Sequence, residues 1–574
     1  MRLRPRFCVI LIAVLALNSL SVAAAEILAY LPQDTLSFAL IRDVNKSNEK
    51  ITKLLSIFDE AVPAPLDMAQ AMTGLSEGLN LEGDVLFALL PVADPAGVPA
   101  PIFLLPVADY DKFAASIKAD ATGEICRVTL ADEDVLVARH DDYALLMNVE
   151  HRELMQRLLA AEAAAPSWIA EHRAWLAGND VSAMVTAAGI AHLKKAAEEQ
   201  AKAPQSRNAD PFGEPPLADS MLRMSSELPF AELFTRDVET AGVGLAIDDT
   251  TNSRVRWTVK FAKEDADSAT MKTDTKPFVG FEDKPYALAG SGDLPVEFAA
   301  LLPEVFTDLS RATAMQDGRA DFTEEDWADV RKSYELWTSG LKGISFLLTP
   351  GKEGEPLLSI FFARLTVDNT KDYLESLKKS FALSNELASR SKSDIKLQFD
   401  IAPLTVAGAE GIEVTCDMDK ATGDGDQHIW QTLMTSVLGV DHKLSMYFVA
   451  TDEQQLFFAL EAQNKLADFI EAWRKQDQGL INNLQVKKTI ELMEKETPWT
   501  CLANPQGFVE LVRTAIKSVQ ILGFVPEFPL YPTAPPLGFA LSADASTWQG
   551  EFVMPVEAAR AMAQFTKEIE AAFR

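Results

Sequence analysis

Ile102-Phe-Leu-Leu-Pro-Val107, followed by Asp109-Tyr-Asp-Lys-Phe113, decides the fold, because it is met again as Phe362-Ala-Arg-Leu-Thr-Val367 and Asn369-Thr-Lys-Asp-Tyr373. Each stretch reads as a strand, an Asp or Asn cap and a helix. Upstream, Leu81-Glu-Gly-Asp-Val-Leu-Phe-Ala-Leu-Leu-Pro91 resembles Leu341-Lys-Gly-Ile-Ser-Phe-Leu-Leu-Thr-Pro350, a turn and a buried strand ended by proline. Downstream, the segment from Val135 to Met147 parallels that from Tyr447 to Ala459, each reading as a hairpin. Apolar stripes follow at Leu154, Met155, Leu158 and Leu159 and at Leu466, Phe469, Ile470 and Trp473, each on one helical face.

The correspondence continues with Ser182-Ala-Met184 and Gly189-Ile-Ala-His-Leu193 against Thr500-Cys-Leu502 and Gly507-Phe-Val-Glu-Leu511. Proline-bearing connectors come next, with Pro204, Pro211, Pro215, Pro216 and Pro229 in one and Pro526, Pro529, Pro532, Pro535 and Pro536 in the other. Gly244-Leu-Ala-Ile247 and Gly538-Phe-Ala-Leu541 then each open a hairpin and a last helix. Matches in one order along the whole chain point to duplication of an ancestral module. The boundary is expected between Asp274 and Pro285, where charged and turn residues replace periodic apolar ones, giving modules at 26–278 and 279–574. The offset between copies grows from 260 at Ile102 and Phe362 to 312 at Val135 and Tyr447, so the second carries 52 extra residues. That insertion, at about 380–443, is expected to hold a further strand pair, an acidic turn and a helix carrying Ile429, Trp430, Leu433, Met434 and Val437.

Hairpins imply mostly antiparallel pairing, and amphipathic helices imply cover on one face of each sheet. The expected class is α+β, in two tandem related modules.

The N-terminus has the pattern of a cleavable export signal: Arg2, Arg4 and Arg6, an apolar run from Phe7 to Leu17, and Ala23-Ala24-Ala25 before Glu26. The run is shorter than the roughly 20 residues of a spanning helix. Cys8 lies inside it and no cysteine stands at the cleavage position, which argues against lipid modification. No later stretch is apolar and uncharged enough to span a bilayer, and the end, Ala571-Ala572-Phe573-Arg574, reads as an amphipathic helix. The net charge of -31 becomes -34 without the three arginines, which disfavours nucleic acid and anionic headgroups as partners. Periplasmic, cell-surface or extracellular localisation follows as the expectation.

Beyond the signal, Cys126, Cys416 and Cys501 alternate in phase with apolar neighbours and read as buried free thiols, against the alternative of one disulfide and a leftover cysteine. The acidic turn Asp417, Asp419, Asp424, Asp426 and His428 is the best metal candidate, since calcium takes converging carboxylate oxygens. Ala421 and Thr422 depart from the calcium-loop pattern, and a solvated loop accounts for the turn. Asp132-Glu133-Asp134 reads as a charged hairpin turn. His140, His151, His172, His192, His428 and His442 form no local zinc motif. Ser376-Leu-Lys-Lys379 fits the SxxK pattern of penicillin-recognising serine enzymes without its KTG and SDN companions, and Ser116-Ile-Lys-Ala119 stands at the matching place. No catalytic residue, cofactor site or metal site is assigned on this basis.

The alanine-ended signal, the opening Leu31-Pro32-Gln33-Asp34-Thr35, and later Pro285-Tyr-Ala-Leu-Ala289 with Leu294-Pro295, resemble large uncharacterised families of exported proteins in planctomycete-type bacteria. The resemblance implies export and duplication and brings no active site. The expected function is that of a non-catalytic exported binding or envelope-associated structural protein, its ligand an unknown protein, peptide or small molecule, with a site beside the insertion or between the copies. The alternative is an exported hydrolase whose site is assembled from both halves, with a nucleophile or carboxylate pair beside a histidine such as His428 or His442.

Overall fold

In a computed structural model of the chain, described residues span 27–572 except 60, 76, 93–97, 120–122, 131–132, 203–237, 263–277, 295, 317–321, 353–354, 357, 391–396, 422–436, 439–441, 495–496, 519–527 and 545. The export signal, the connector prolines up to Pro229, Pro526, Asp132, Asp424, Asp426, His428 and most of the helix expected near Trp430 lie outside them.

The elements run β1 (Ser37–Ile41), α1 (Val44–Phe58), α2 (Pro65–Thr73), β2 (Val85–Leu90), β3 (Ala100–Pro106), α3 (Tyr110–Ser116), β4 (Cys126–Leu130), β5 (Glu133–His140), β6 (Tyr143–Asn148), α4 (Arg152–Ala160), α5 (Ser167–Ala177), β7 (Val181–Val185), α6 (Ala187–Lys202), β8 (Val238–Ile247) and β9 (Ser253–Phe261). They continue with β10 (Leu288–Asp293), α7 (Val296–Gln316), α8 (Glu324–Thr338), β11 (Leu341–Leu348), β12 (Phe361–Val367), α9 (Thr370–Arg390), β13 (Phe399–Val406), β14 (Ala409–Asp417), β15 (Lys443–Ala450), β16 (Gln455–Leu460), α10 (Gln463–Arg474), α11 (Leu484–Leu492), β17 (Trp499–Ala503), α12 (Pro505–Ser518), β18 (Leu537–Ala543), β19 (Thr547–Met554) and α13 (Val556–Ala572). The class is α+β, with antiparallel pairing throughout the ladders described below.

The described residues divide into two compact units, the first over 27–202, 238–262 and 547–550, the second over 278–546 and 551–572. In the first, the pairing order is β4-β5-β6-β3-β2-β1-β7-β8-β9. In the second it is β13-β14-β15-β16-β12-β11-β10-β17-β18. The two orders superimpose strand for strand once β13 is set aside at one end of the second and β9 at the other end of the first, and so do the caps: Asp109 accepts from the Lys112 amide at 3.1 Å and Asn369 from the Asp372 amide at 3.2 Å.

Ladder register corrects the alignment in three places. Met184 faces Gly242 and Leu502 faces Gly538, so the counterpart of Gly538 is Gly242, not Gly244. Both glycines have a reason: a Cβ would come within 3.0 Å of the Trp175 ring at Gly242 and within 2.4 Å of Met493 at Gly538, where α5 and the end of α11 press on the sheet. The turn joining β15 to β16 is one residue longer than that joining β5 to β6, since Arg139 pairs with Ala144 but Ala450 with Leu456. Of the strand pair expected in the insertion, β14 is the counterpart of β4, and only β13 is added. At its open edge Phe399 is held by Asn385 of α9, whose amide both accepts from its N–H at 2.7 Å and donates to its carbonyl at 2.9 Å.

Cover on one face was the expectation; both faces are buried. In the first unit Leu86, Ala88, Ile102, Leu104, Leu136, Leu145 and Met147 pack with α4 and α5. The alternate residues Val85, Phe87, Phe103, Val137 and Leu146 pack with Phe113 of α3. In the second unit Leu347, Phe362 and Phe457 meet α10 and α11, while Ala363, Leu365 and Phe448 meet α9. This explains the near-continuous apolar runs of β2 and β6, which a strand wetted on one side would not show. The opening Leu31-Pro32-Gln-Asp-Thr35 is a turn closed by the Thr35 hydroxyl on the Pro32 carbonyl at 2.7 Å, and Thr35 is fully buried at the entry to β1.

Candidate functional site

The common ladder allows the units to be read rung by rung. Across the α4/α5 face of the first sheet, one rung is Ser182, Leu40, Leu86, Leu104 and Leu145. The same rung of the second, on the α10/α11 face, is Thr500, Ser291, Ser345, Arg364 and Phe457. Three leucines of a dry core are thus replaced by two serines and an arginine. Ser291 is 1% exposed and Ser345 4%. Their hydroxyls lie 2.9 Å apart, and Arg364 Nη2 donates to Ser345 Oγ at 2.9 Å. Thr500 Oγ1 is 3.4 Å from Thr497 Oγ1.

One rung further out come Asp293, Gly343, Thr366 and Gln455. Gln455 Nε2 donates to Thr366 Oγ1 at 3.4 Å, while its Oε1 is buried without a hydrogen-bond partner among the described residues. A continuous polar patch therefore occupies one end of the second sheet, with Phe362 and Phe457 as its apolar border. Burying a leucine contributes about 1.5–3 kcal/mol. This rung lacks three such contributions and carries a partly desolvated guanidinium in their place.

The first unit is polar at the same end, with different chemistry. Lys50 of α1, 8% exposed, reaches the Asp180 carboxylate at 3.2 and 3.4 Å, and the Ile247 amide donates to the same carboxylate. Arg42 donates through Nη1 to the Ala177 carbonyl and through its backbone amide to the Asp180 carbonyl. Asp84, 1% exposed, accepts from the Asp43 amide at 2.9 Å, leaving its Oδ2 buried without a partner among the described residues. The counterparts of Arg42, Asp84 and Asp180 in the second unit are Asp293, Gly343 and Pro498, so this network belongs to the first unit alone. Its members tie the start of α1 to the ends of β1, β2, β7 and β8, a structural task.

Burial pushes the Asp84 carboxyl up from 3.8 to about 6, against the lowering pull of the Asp43 amide and the Arg42 guanidinium. The folded state then holds a proton that the unfolded state has released. Stability present below pH 3.8 is lost as pH rises through 6, by up to about 3 kcal/mol. Asp84→Asn is expected to show its largest stability gain over the parent at pH 7.5 and little at pH 4. Urea midpoints at both values test this, and a gain independent of pH would refute it.

The sequence candidates disperse. Asp419 accepts from His442 Nδ1 at 2.9 Å, and Asp417 pairs with Lys443 at the end of its ladder. Among the described residues no cluster of His, Cys, Asp and Glu is arranged to hold a metal ion. Glu133 and Asp134, expected in a turn, open β5 instead, where Asp134 is bonded to Arg127 and to Thr129 across the β4–β5 ladder. His172 lies 3.3 Å from Thr240 Oγ1, with its basicity lowered by burial, and His140 stacks edge-on to Tyr30. Ser376 and Lys379 lie on α9, where Lys379 is exposed. Cys126, Cys416 and Cys501 are free; burial raises Cys501 to about 12, which keeps it an inert thiol. The polar rung escaped sequence reading, although the aligned pair Leu104 and Arg364 carried its signal.

No family model, curated protein or solved structure matches the chain. Among the described residues no helix is long and apolar enough to cross a membrane.

Proposed function

We propose that the chain is an exported, non-catalytic binding protein, produced by duplication of one α+β module, whose second copy holds the ligand. The polar rung Ser291–Ser345–Arg364, set where the first copy has Leu40–Leu86–Leu104, carries this reading. Two copies on one ladder plan free one of them to trade core burial for recognition, while the other keeps leucines on that rung. Export is supported by the N-terminal charge and apolar pattern and by the likeness to exported planctomycete-type families. The non-catalytic part is supported by the engagement of Lys50 with Asp180, of Asp134 with Thr129 and of His442 with Asp419.

Two measurements test it. N-terminal sequencing of protein recovered outside the cytoplasmic membrane should begin at Glu26; retention in the cytoplasm with Met1 intact removes the export half. Thermal-shift screening against chemically diverse small molecules should yield a ligand that raises Tm, depends on Arg364 and is recovered unchanged. Turnover of that ligand would move the protein to the hydrolase class, and the absence of any Arg364-dependent ligand would end the binding reading.

A further inference from the structure

We infer that the edge of β4 is an interface at which two copies of this chain pair, β4 against β4, antiparallel and centred on Val128. Among the described residues β4 pairs with β5 alone, whereas its counterpart β14 is covered on its second side by β13. The ladders equate Arg127 with Glu413 and Thr129 with Thr415. Arg127 faces Leu136 and Glu413 faces Tyr447; Leu136 and Tyr447 in turn face Met147 and Ala459, which pair with Ile102 and Phe362.

The second unit shows which backbone groups point outward. Asn385 binds both the N–H and the C=O of Phe399, so these face away from β14. Along a strand the groups of successive residues alternate in direction, so Asp400 and Ala402 bond to β14, at Thr415 and Glu413. The counterparts Thr129 and Arg127 therefore turn their N–H and C=O groups away from β5. Both residues are exposed, and neither backbone is bonded across that edge among the described residues.

Two such residues with one between them form a self-complementary set. When Val128 lies opposite Val128 of the second copy, Arg127 lies opposite Thr129 and Thr129 opposite Arg127, and each of these pairs exchanges two N–H···O=C bonds. A register shifted by two residues either way sets Arg127 or Thr129 opposite itself and, within β4, makes half as many. Charge favours the centred register too. Thr129 faces Asp134 and donates to it at 3.0 Å, so the second copy's Arg127, opposite Thr129, reaches over it towards a carboxylate. Within one chain Glu133 and Asp134 set two carboxylates against the guanidinium of Arg127, and a second guanidinium balances them.

The edge of β13 is closed to this use. Its outward positions are Phe399, Ile401, Pro403 and Thr405; Asn385 occupies the first, and proline brings no N–H to the third. β4 has neither a proline nor a bulge. Stacking β13 of one chain on β4 of the next is thus disfavoured, and β4 meets its own kind in a closed two-fold pair and not in a filament.

Sedimentation equilibrium of the full chain tests this pairing. A monomer–dimer equilibrium is expected, with dimer dominant at about 100 μM and monomer at about 1 μM, because strands this short bury less than a standard interface. Hydrogen exchange of the Arg127 and Thr129 amides should slow as concentration rises, while that of β13 stays unchanged. Thr129→Pro, which removes an outward N–H, and Arg127→Glu, which reverses the charge and keeps the backbone, should each weaken the dimer by roughly tenfold or more. The second variant preserves the test if the first does not fold. Monomer at the higher concentration would overturn the interface. So would a dimer left intact by a folded variant, whose contact must lie elsewhere, and so would species that grow without limit, which belong to head-to-tail stacking.

Discussion

Replacing Lys50 by methionine is expected to destabilise the first unit by about 3–5 kcal/mol, because it strips the counter-ion from a buried carboxylate. Asp180 is fixed just before β7 by its backbone, which donates to Leu245 and accepts from Arg42, so its side chain cannot swing out to water. Its carboxylate accepts from Lys50 Nζ and the Ile247 amide. With the ammonium gone, the amide alone remains to offset the desolvation of a full charge. The double variant Lys50→Met/Asp180→Asn should recover most of the loss, since a neutral amide side chain in the same place keeps an acceptor for Ile247 without an unpaired charge. Hydrogen exchange of the β1, β7 and β8 amides, with urea midpoints for the single and double variants, checks this. A single variant as stable as the parent would show that Asp180 reaches another cation or water, and that the pair does not hold α1 to the sheet.

How much of this was legible in the sequence depends on which residues carried the information. Period-two alternation and cap residues located β3, α3, β12 and α9, because a strand followed by Asp109 or Asn369 is a local signal. The α+β class was legible for the same reason. Cover on both faces was not, since Phe87 and Leu86 are both buried in β2 but by different partners, and hydrophobicity alone does not say what covers a side chain. Register failed where a strand slipped by two: Gly244 and Gly538 look alike in sequence, and the ladder partners Met184 and Leu502 identify Gly242 and Gly538 as the pair. The β13–β14 hairpin was legible as strands; that β14 repeats β4 required the ladder. The candidate site was written in one aligned position, Leu104 against Arg364, and was unreadable until Ser291 and Ser345 were known to lie beside it on neighbouring strands. Searching for local catalytic spacings could not find it, because its members are 54 and 19 residues apart along the chain. Likewise, the buried Lys50–Asp180 pair joins residues 130 apart, and each alone reads as a surface charge.

Gly507→Ala is expected to cost about 3 kcal/mol, the upper end of overpacking effects, and Gly189→Ala a similar amount. A Cβ at Gly507 would lie 1.8 Å from the Tyr286 carbonyl oxygen and 2.4 Å from its carbon; at Gly189 it would lie 1.9 Å from the Leu36 oxygen. These obstacles are backbone, so no rotamer change relieves them. The close approach is enforced at both places by a bond at the head of the helix, from the Asn504 amide to the Ala287 carbonyl at 2.8 Å and from the Thr186 amide to the Leu36 carbonyl at 3.0 Å. Each bond pins the entry of a central strand, β10 or β1, beneath the first turn of α12 or α6. Moving either helix away to admit a methyl group would break that bond and shear the strand from its neighbour. Gly408→Ala supplies the contrast: its φ is +74° but nothing lies within 4 Å of an added Cβ, so only the left-handed backbone is penalised, at about 1–2 kcal/mol. Thermal and urea unfolding of the three variants should rank Gly507 and Gly189 together and well above Gly408. If Gly408 costs as much as the other two, steric contact is not what preserves these glycines. If Gly189 and Gly507 differ widely, the helix-to-strand junction is not the shared structural rule that their common place in the two ladders implies.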